Sequence, residues 1–278
     1  MSIFFTKTSI GYSHVTARKR CQDFSASYSD EERTIVTACD GHGGNVYVRS
    51  HLGAKFASDA AIDVLRDLEK NAFYRNKKEV VAENIRLNIL CRWNELVGRH
   101  MTNNPIRMIE TADLSENEVL SLKNNPVKAY GTTLAAAMIM GNKIITVSIG
   151  DGGCFLVKGG ECISPFPEDE DELVANITYS LCQDDAFSHL QVAVRESSAY
   201  DGAVVCTDGM INPYQNLSNF STGLVIPAIA TLYAEKGRSL ECFVADVGAK
   251  LGTGDDVSLG IVVKDKLSSR TYKHTKTI

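Results

Sequence analysis

TLAAAMIMGNKIITVSIGD (residues 133–151) holds two apolar runs, Thr133 to Met140 and Ile144 to Ile149, on either side of the pair Gly141-Asn142. A two-residue Gly-Asn turn between runs of strand length is a strong hairpin signal. Strands joined this way lie antiparallel. Downstream, Cys154 to Val157 and a Gly159-Gly160 turn continue the meander, His189 to Arg195 alternates, and Ala203 to Cys206 is a buried-type run. Upstream, Ile3 to Lys7, Phe24 to Tyr28 and Thr34 to Cys39 are β-branched or aromatic runs bounded by polar breaks, and a last strand spans Val257 to Val263. Helical spacing separates these groups. Val48, Leu52, Phe56, Ala60, Val64 and Leu68 share one face between Asn45 and about Lys70, and Val81, Ile85, Ile89 and Trp93 another between Lys78 and Met101. Ser115 with Glu118 is a capping box for a short third helix. Two more helices are expected near Leu224 to Glu235 and Leu240 to Leu251. The order is strands, a helical pair, a meander, a second helical pair and a closing strand. It predicts an α+β protein whose antiparallel sheets are covered on their outer faces by helices.

Composition narrows the function. The chain has 278 residues, 44% hydrophobic and 23% charged, with a formal charge of −5. Residues 1–263 are expected to form one domain and 264–278 a basic tail, whose five Lys or Arg accompany little that could pack. The acidic balance argues against a nucleic-acid partner. No run approaches the ~20 apolar residues of a membrane span, and no signal peptide is read at the N-terminus. The eight cysteines include no CxxC pair, which removes the zinc-ribbon and thioredoxin signatures. A reduced, cytoplasmic protein is the expectation.

The chemistry lies where apolar strands run into aspartates. Thr34 to Cys39 leads into Asp40-Gly41-His42-Gly43-Gly44, Ile144 to Ile149 into Gly150-Asp151, and Ala203 to Thr207 into Asp208-Gly209, while Asp255-Asp256 and Asp23 each precede a strand. A single Asp-Gly is only a turn. Several aspartates able to converge at one edge would repel one another unless cations neutralise them. Oxygen ligands without supporting His or Cys suit Mg²⁺ or Mn²⁺. Two such ions sharing a carboxylate can activate water for in-line attack on phosphorus.

These motifs resemble, in order, those of the metal-dependent (PPM, type 2C) protein serine/threonine phosphatases, and their spelling looks most like a compact bacterial branch. Arg18 with Asp23 resembles the Arg-x-x-x-Glu-Asp motif, Asp40-Gly41-His42-Gly43-Gly44 the family signature, and Gly131-Thr132-Thr133 with Gly150-Asp151 its central strands. Cys206-Thr207-Asp208-Gly209 is similar to its Ser-Asp-Gly motif and Asp255-Asp256-Val257-Ser258 to its closing Asp-Asn-x-Ser/Thr motif. The resemblance implies a four-layer α-β-β-α sandwich of two stacked antiparallel sheets flanked by helical pairs. It implies hydrolysis of phosphoserine and phosphothreonine in proteins by a water bridging two Mn²⁺ or Mg²⁺ ions. Asp40 would bridge the ions and the Gly41 carbonyl would ligate one. Asp208 and Asp255 would complete the other, with Asp23 close by. Asp151 would help hold a third ion, His42 would protonate the leaving alkoxide, and Arg18 would bind the phosphate. The partner would be a phosphorylated substrate of a serine/threonine kinase, with no membrane involved and the oligomeric state open.

The chain departs from the family in two places. Gln22 stands where many members have Glu, removing a charge near the ions. Asn212 stands where a second Asp usually follows Asp208, so a third ion is expected to bind weakly if at all. The segment Ser164 to Asp185 corresponds to the family's mobile flap, and its acidic run Glu168 to Glu172 would favour basic sequence around the phosphosite. Two other readings stay open: a pseudophosphatase that binds a phosphoprotein or kinase without turnover, and a two-metal hydrolase of small phosphate esters.

Overall fold

The computed structural model describes residues 2–167, 178–234, 237–265 and 272. β4 (Leu134–Met140) and β5 (Lys143–Ile149) pair antiparallel with Met140 opposite Lys143, and Gly141 turns the corner at φ +57. That left-handed conformation strains any residue with a Cβ and leaves glycine free. From this hairpin the sheet grows in both directions. β3 (Arg33–Cys39) lies along β4, β2 (Phe24–Ser29) along β3, and β8 (Gln191–Glu196) along β5. The second sheet also has five antiparallel strands, in the order β1 (Ser2–Ser9), β10 (Val257–Lys264), β9 (Gly202–Cys206), β6 (Gly153–Lys158) and β7 (Glu161–Ile163).

The two sheets stack, and the period of two along each strand sends successive side chains into different layers. Val36, Ala137 and Ile144 of the first sheet meet Leu156, Val205 and Val262 of the second between the sheets. Ile35, Met138 and Ile145 point the other way, into a core closed by the Ser50–Arg66 and Lys78–Asn103 helices through Ala57, Leu65, Ile85 and Trp93. Val204, Leu259 and Ile261 likewise face the Ile226–Tyr233 and Gly237–Val247 helices through Ile229, Leu240 and Val244. Each such side chain contributes about 1.5–3 kcal/mol by leaving water. With both faces covered, a strand need not alternate apolar with polar, and all seven residues of β4 are buried. The layers are therefore α-β-β-α, as expected.

Local differences have local causes. The first long helix begins at Ser50 rather than Asn45. Arg49 is buried and its guanidinium donates to both Glu110 carboxylate oxygens, to the Asn104 and Pro105 carbonyls and to the Tyr130 hydroxyl. Turning that side chain inward keeps residues 45–49 in a loop. His189 closes a short Ala186–His189 helix, so the strand expected from it begins at Gln191. The Ser115 capping box is present, with the Ser115 N–H donating to Glu118 Oε2 at 2.8 Å and the Glu118 N–H to Ser115 Oγ at 3.4 Å. Cys39, Cys154, Cys182 and Cys206 are buried and pack as small apolar groups. Tyr272 is also buried and its hydroxyl donates to Asp201 Oδ2 at 3.0 Å, so one residue of the tail docks on the second sheet's helical side. The rest of the tail beyond Asp265 lies outside the described residues, as does the acidic run Glu168 to Glu172. No helix among the described residues is long and apolar enough to cross a membrane.

Candidate active site

Strand register gathers the aspartates. Phe24 pairs with Cys39 and Leu134 with Ile149, so Asp23, Asp40 and Asp151 leave the first sheet at the same edge. In the second sheet Cys206 pairs with both Leu259 and Gly153, which brings Asp208 beside Asp255 and beside the start of β6. The short Gly150-Asp151-Gly152 link from β5 to β6 joins the two edges. The loop after β3 is latched to the segment that leads into β4. The Asp40 carbonyl accepts from Thr132 Oγ1 and the Thr133 N–H, both at 2.8 Å, and the Asp40 N–H donates to Thr133 Oγ1 at 3.0 Å.

The carboxylates feel one another strongly. Burial pushes the Asp40 carboxyl well above its ordinary range, and Asp23, Asp208 and Asp151 add to the effect. Asp23 is raised for the same reason, partly offset by Thr207 Oγ1, which donates to Asp23 Oδ2 at 2.7 Å. Asp208 is raised by burial and then by Asp151 and Asp255. None of the five makes an ion pair with a described cationic side chain. Among the described residues no three His, Cys, Asp or Glu side chains already close around a common point. An all-oxygen, multiply anionic set with no cation of its own nevertheless fits hard divalent ions, which prefer carboxylate and carbonyl oxygen.

Around this edge several residues have roles the sequence did not reveal. Asp256 is buried and accepts from the Gly11 N–H at 2.7 Å, the Gln22 N–H at 2.6 Å and His14 Nδ1 at 2.8 Å. It ties the segment that carries Asp23 to the turn that carries Asp255. No motif drew attention to His14. The available signal was a second acid at position 256, where the family pattern has Asn, since a buried carboxylate calls for a partner. Gly41 is required for space, because a Cβ there would lie 2.7 Å from the Gln22 and Ser50 carbonyl oxygens. His42 is partly buried against Tyr47, with ring centroids 4.9 Å apart. Burial lowers its pKa, while Asp151 opposes that. Asn212 donates its amide to Asp208 Oδ2 at 3.2 Å.

Gln22 Nε2 donates to the His42 carbonyl at 3.0 Å and to Ser50 Oγ at 2.6 Å, locking the Gly-rich loop onto the first long helix. A carboxylate cannot donate to a carbonyl. Gln22→Glu, which restores the commoner family residue, should therefore destabilise the protein by about 1–3 kcal/mol. A thermal melt unchanged or raised in that variant would refute this role.

Arg18 is exposed and is the only described non-glycine residue at positive φ, +54. That backbone costs an arginine on the order of 1 kcal/mol that glycine avoids. Arg18→Gly should raise the melting temperature, while Arg18→Ala should not. If the guanidinium binds phosphate, both variants raise KM for a phosphopeptide. An unchanged KM in both would leave Arg18 as a strained surface residue.

Comparison with known proteins agrees with this fold. A family model described as protein phosphatase 2C matches residues 10–245. The match stops short of Asp255, whose place rests on the register of β10. No curated protein matches the sequence. Among solved structures, serine/threonine phosphatase Stp1 from Staphylococcus aureus is 14% identical, with 96% of each chain covered and a TM-score of 0.59. The catalytic domain of the phosphatase PstP, in complex with two manganese ions, is 19% identical over 95% of this chain and 99% of that one, at a TM-score of 0.53. A serine/threonine phosphatase from S. agalactiae is 20% identical over 95% and 100%, also at 0.53. At such identities the likeness is one of fold, two stacked antiparallel sheets with their helices. The family match spans most of the chain, and on it the chain belongs to the protein phosphatase 2C family.

Proposed function

We propose that this protein is a Mn²⁺- or Mg²⁺-dependent phosphatase that removes phosphate from phosphoserine and phosphothreonine in proteins, the products of a serine/threonine kinase. The observation that carries the reading is the edge where strand register brings Asp23, Asp40, Asp151, Asp208 and Asp255 together with no protein cation among the described residues, and where Asp23, Asp40 and Asp208 are held above the ordinary carboxylate range. Asp40, the Gly41 carbonyl, Asp208 and Asp255 would hold two ions, with Asp23 beside them. When bound, the ions supply the positive charge this edge lacks and the Lewis acidity that activates water toward phosphorus. Asp151 and Asp208 are the anions left for a third ion, and the Asn212 amide, turned toward Asp208 as a donor, adds no charge to it.

The chain's own groups then do the rest. Arg18, with no carboxylate partner among the described residues, is available to a phosphate dianion through its forked donors. No described protein group bonds the ring nitrogens of His42, which leaves one free to carry a proton to the departing serine or threonine oxygen. Burial favours the neutral ring, and the approach of the phosphate dianion favours the charged one, so substrate binding itself recruits the proton.

The test is turnover of p-nitrophenyl phosphate and of a phosphothreonine peptide by chelator-treated protein, before and after Mn²⁺ or Mg²⁺ is restored. Turnover that appears only with metal and favours the peptide is expected. Equal turnover with chelator present would overturn metal dependence. A folded protein that binds the phosphopeptide but never hydrolyses it would be a pseudophosphatase.

A further inference from the structure

Beside the aspartate edge Lys19 and Arg20, the 43–48 loop and the 107–114 segment line an open cleft of about 410 Å³. Gln22, Gly43 and Gly44, from the segment and the loop that carry Asp23 and Asp40, line it together with Tyr47, which is in contact with His42. A second hollow of about 510 Å³ shares Arg20, His51, Arg107 and Glu110 with it, so the depression continues beyond the first cleft. An extended stretch of substrate needs a track of that kind.

The charges of the cleft are arranged unevenly. Arg20 Nη1 donates to His51 Nε2 at 3.2 Å. An arginine has no acceptor to offer, so His51 accepts at that nitrogen and is neutral. Burial, and then the neighbouring charges of Arg20, His100 and Arg49, hold its pKa down. The imidazole thus orients the guanidinium without cancelling its charge. Lys19 is exposed and has no carboxylate partner among the described residues. Arg107 Nε lies 3.5 Å from Glu110, but Glu110 already gives its two oxygens to Arg49 at 2.8 and 2.9 Å. Asp113 is the remaining acid of the lining. Lys19 and Arg20 therefore have no acid partner among the described residues and Arg107 shares Glu110 with Arg49, against the single further acid Asp113.

We infer that this cleft receives the residues flanking the phosphoserine or phosphothreonine and selects substrates that carry carboxylate side chains there. The inference rests on the phosphatase reading above and names its substrate class. It runs opposite to the preference for basic flanks expected from the acidic run at 168–172. Electrostatic complementarity along a substrate track discriminates among substrates that share the same reacting group.

The experiment compares four substrates: p-nitrophenyl phosphate and phosphothreonine peptides of one core sequence with neutral, Glu or Lys flanks on both sides. The wild-type protein should show kcat/KM for the Glu peptide about eightfold above the neutral one, the product of three exposed charge contacts each worth roughly twofold. That ratio should shrink as salt is raised and should at least halve in Lys19→Glu and in Arg20→Glu. Because the readout is a ratio within each protein, a general loss of activity does not imitate the effect. Equal Glu and neutral peptides, a best Lys peptide, or a ratio unchanged in both variants would overturn the inference. Fluorescence anisotropy with the same labelled phosphopeptides reads the preference as affinity. Absent turnover would then sink the phosphatase reading while the cleft is still judged by which peptide binds.

Discussion

Asp40→Asn is expected to lower kcat/KM by at least about 10³-fold at any attainable Mn²⁺ concentration, because Lewis-acid stabilisation is worth several kcal/mol and each 1.36 kcal/mol is tenfold in rate. The same variant should make the metal-free protein more stable than wild type. Asp40 is driven above the ordinary carboxylate range by burial and by Asp23, Asp208 and Asp151. A carboxyl whose folded-state pKa is raised contributes its full stability below the unfolded value, about 4, and loses it as pH rises through the folded value. The amide does not ionise. The stability gained by Asp40→Asn over wild type in chelator should therefore be small near pH 5 and larger near pH 8. Taking the difference between the two proteins matters, because His42, His51 and His100 have lowered pKa values and bend both pH profiles alike. Chelator-treated melts at the two pH values, with a kinetic assay beside them, check both halves. An Asn variant that is less stable at both values, or that keeps near-normal turnover, would remove Asp40 from the centre of the site.

Arg49→Leu should cost about 3 kcal/mol, at the lower end of what removal of one partner from a buried pair costs. Glu110 would keep only Arg107 as a donor, and the Tyr130 hydroxyl and the Asn104 and Pro105 carbonyls would each lose the Arg49 guanidinium. Through Arg49 the Glu110 carboxyl is held down to about 2, chiefly by that hydrogen bond. A depressed carboxylate contributes stability above the ordinary carboxylate range and loses it only as pH falls toward its folded value. The deficit of the variant should thus be full at neutral pH and narrow on strong acidification. Glu110→Gln in the Arg49→Leu background should recover part of the loss by removing the stranded charge. The pair also holds the 107–114 wall of the cleft against the first long helix, so the double variant should still show a weakened preference among flanked peptides. A melting temperature within about 2 °C of wild type in Arg49→Leu, equivalent to under about 1 kcal/mol for a domain of this size, would show that the network carries little.

Chain-local features were legible in advance. The Gly141-Asn142 turn forms the hairpin, the Ser115 box caps its helix, and the 3.6-residue spacing from Lys78 places Val81, Ile85, Ile89 and Trp93 on the buried face. Each of these depends on residues a few positions apart, where propensity and periodicity act. The first helix starts later than the apolar spacing through Val48 implies, because Arg49 holds the preceding backbone in a loop and its partners lie more than fifty residues away. The acidic motifs could be recognised by their spelling, but their meeting could not, since it follows from strand register across two sheets.

The sequence by itself determined the antiparallel meander, the two helical pairs and the aspartates at the strand ends, because pleat, helix period and turn chemistry are local. Only the tertiary structure decided that Asp23, Asp40, Asp151, Asp208 and Asp255 share one edge and that His14 backs Asp256 across 242 residues of chain. It also decided that Gln22 serves as a donor and that Lys19, Arg20 and Arg107 line one cleft. These are through-space relations. They are set by which strands pair and which faces bury, and a linear pattern of residue types carries no record of them.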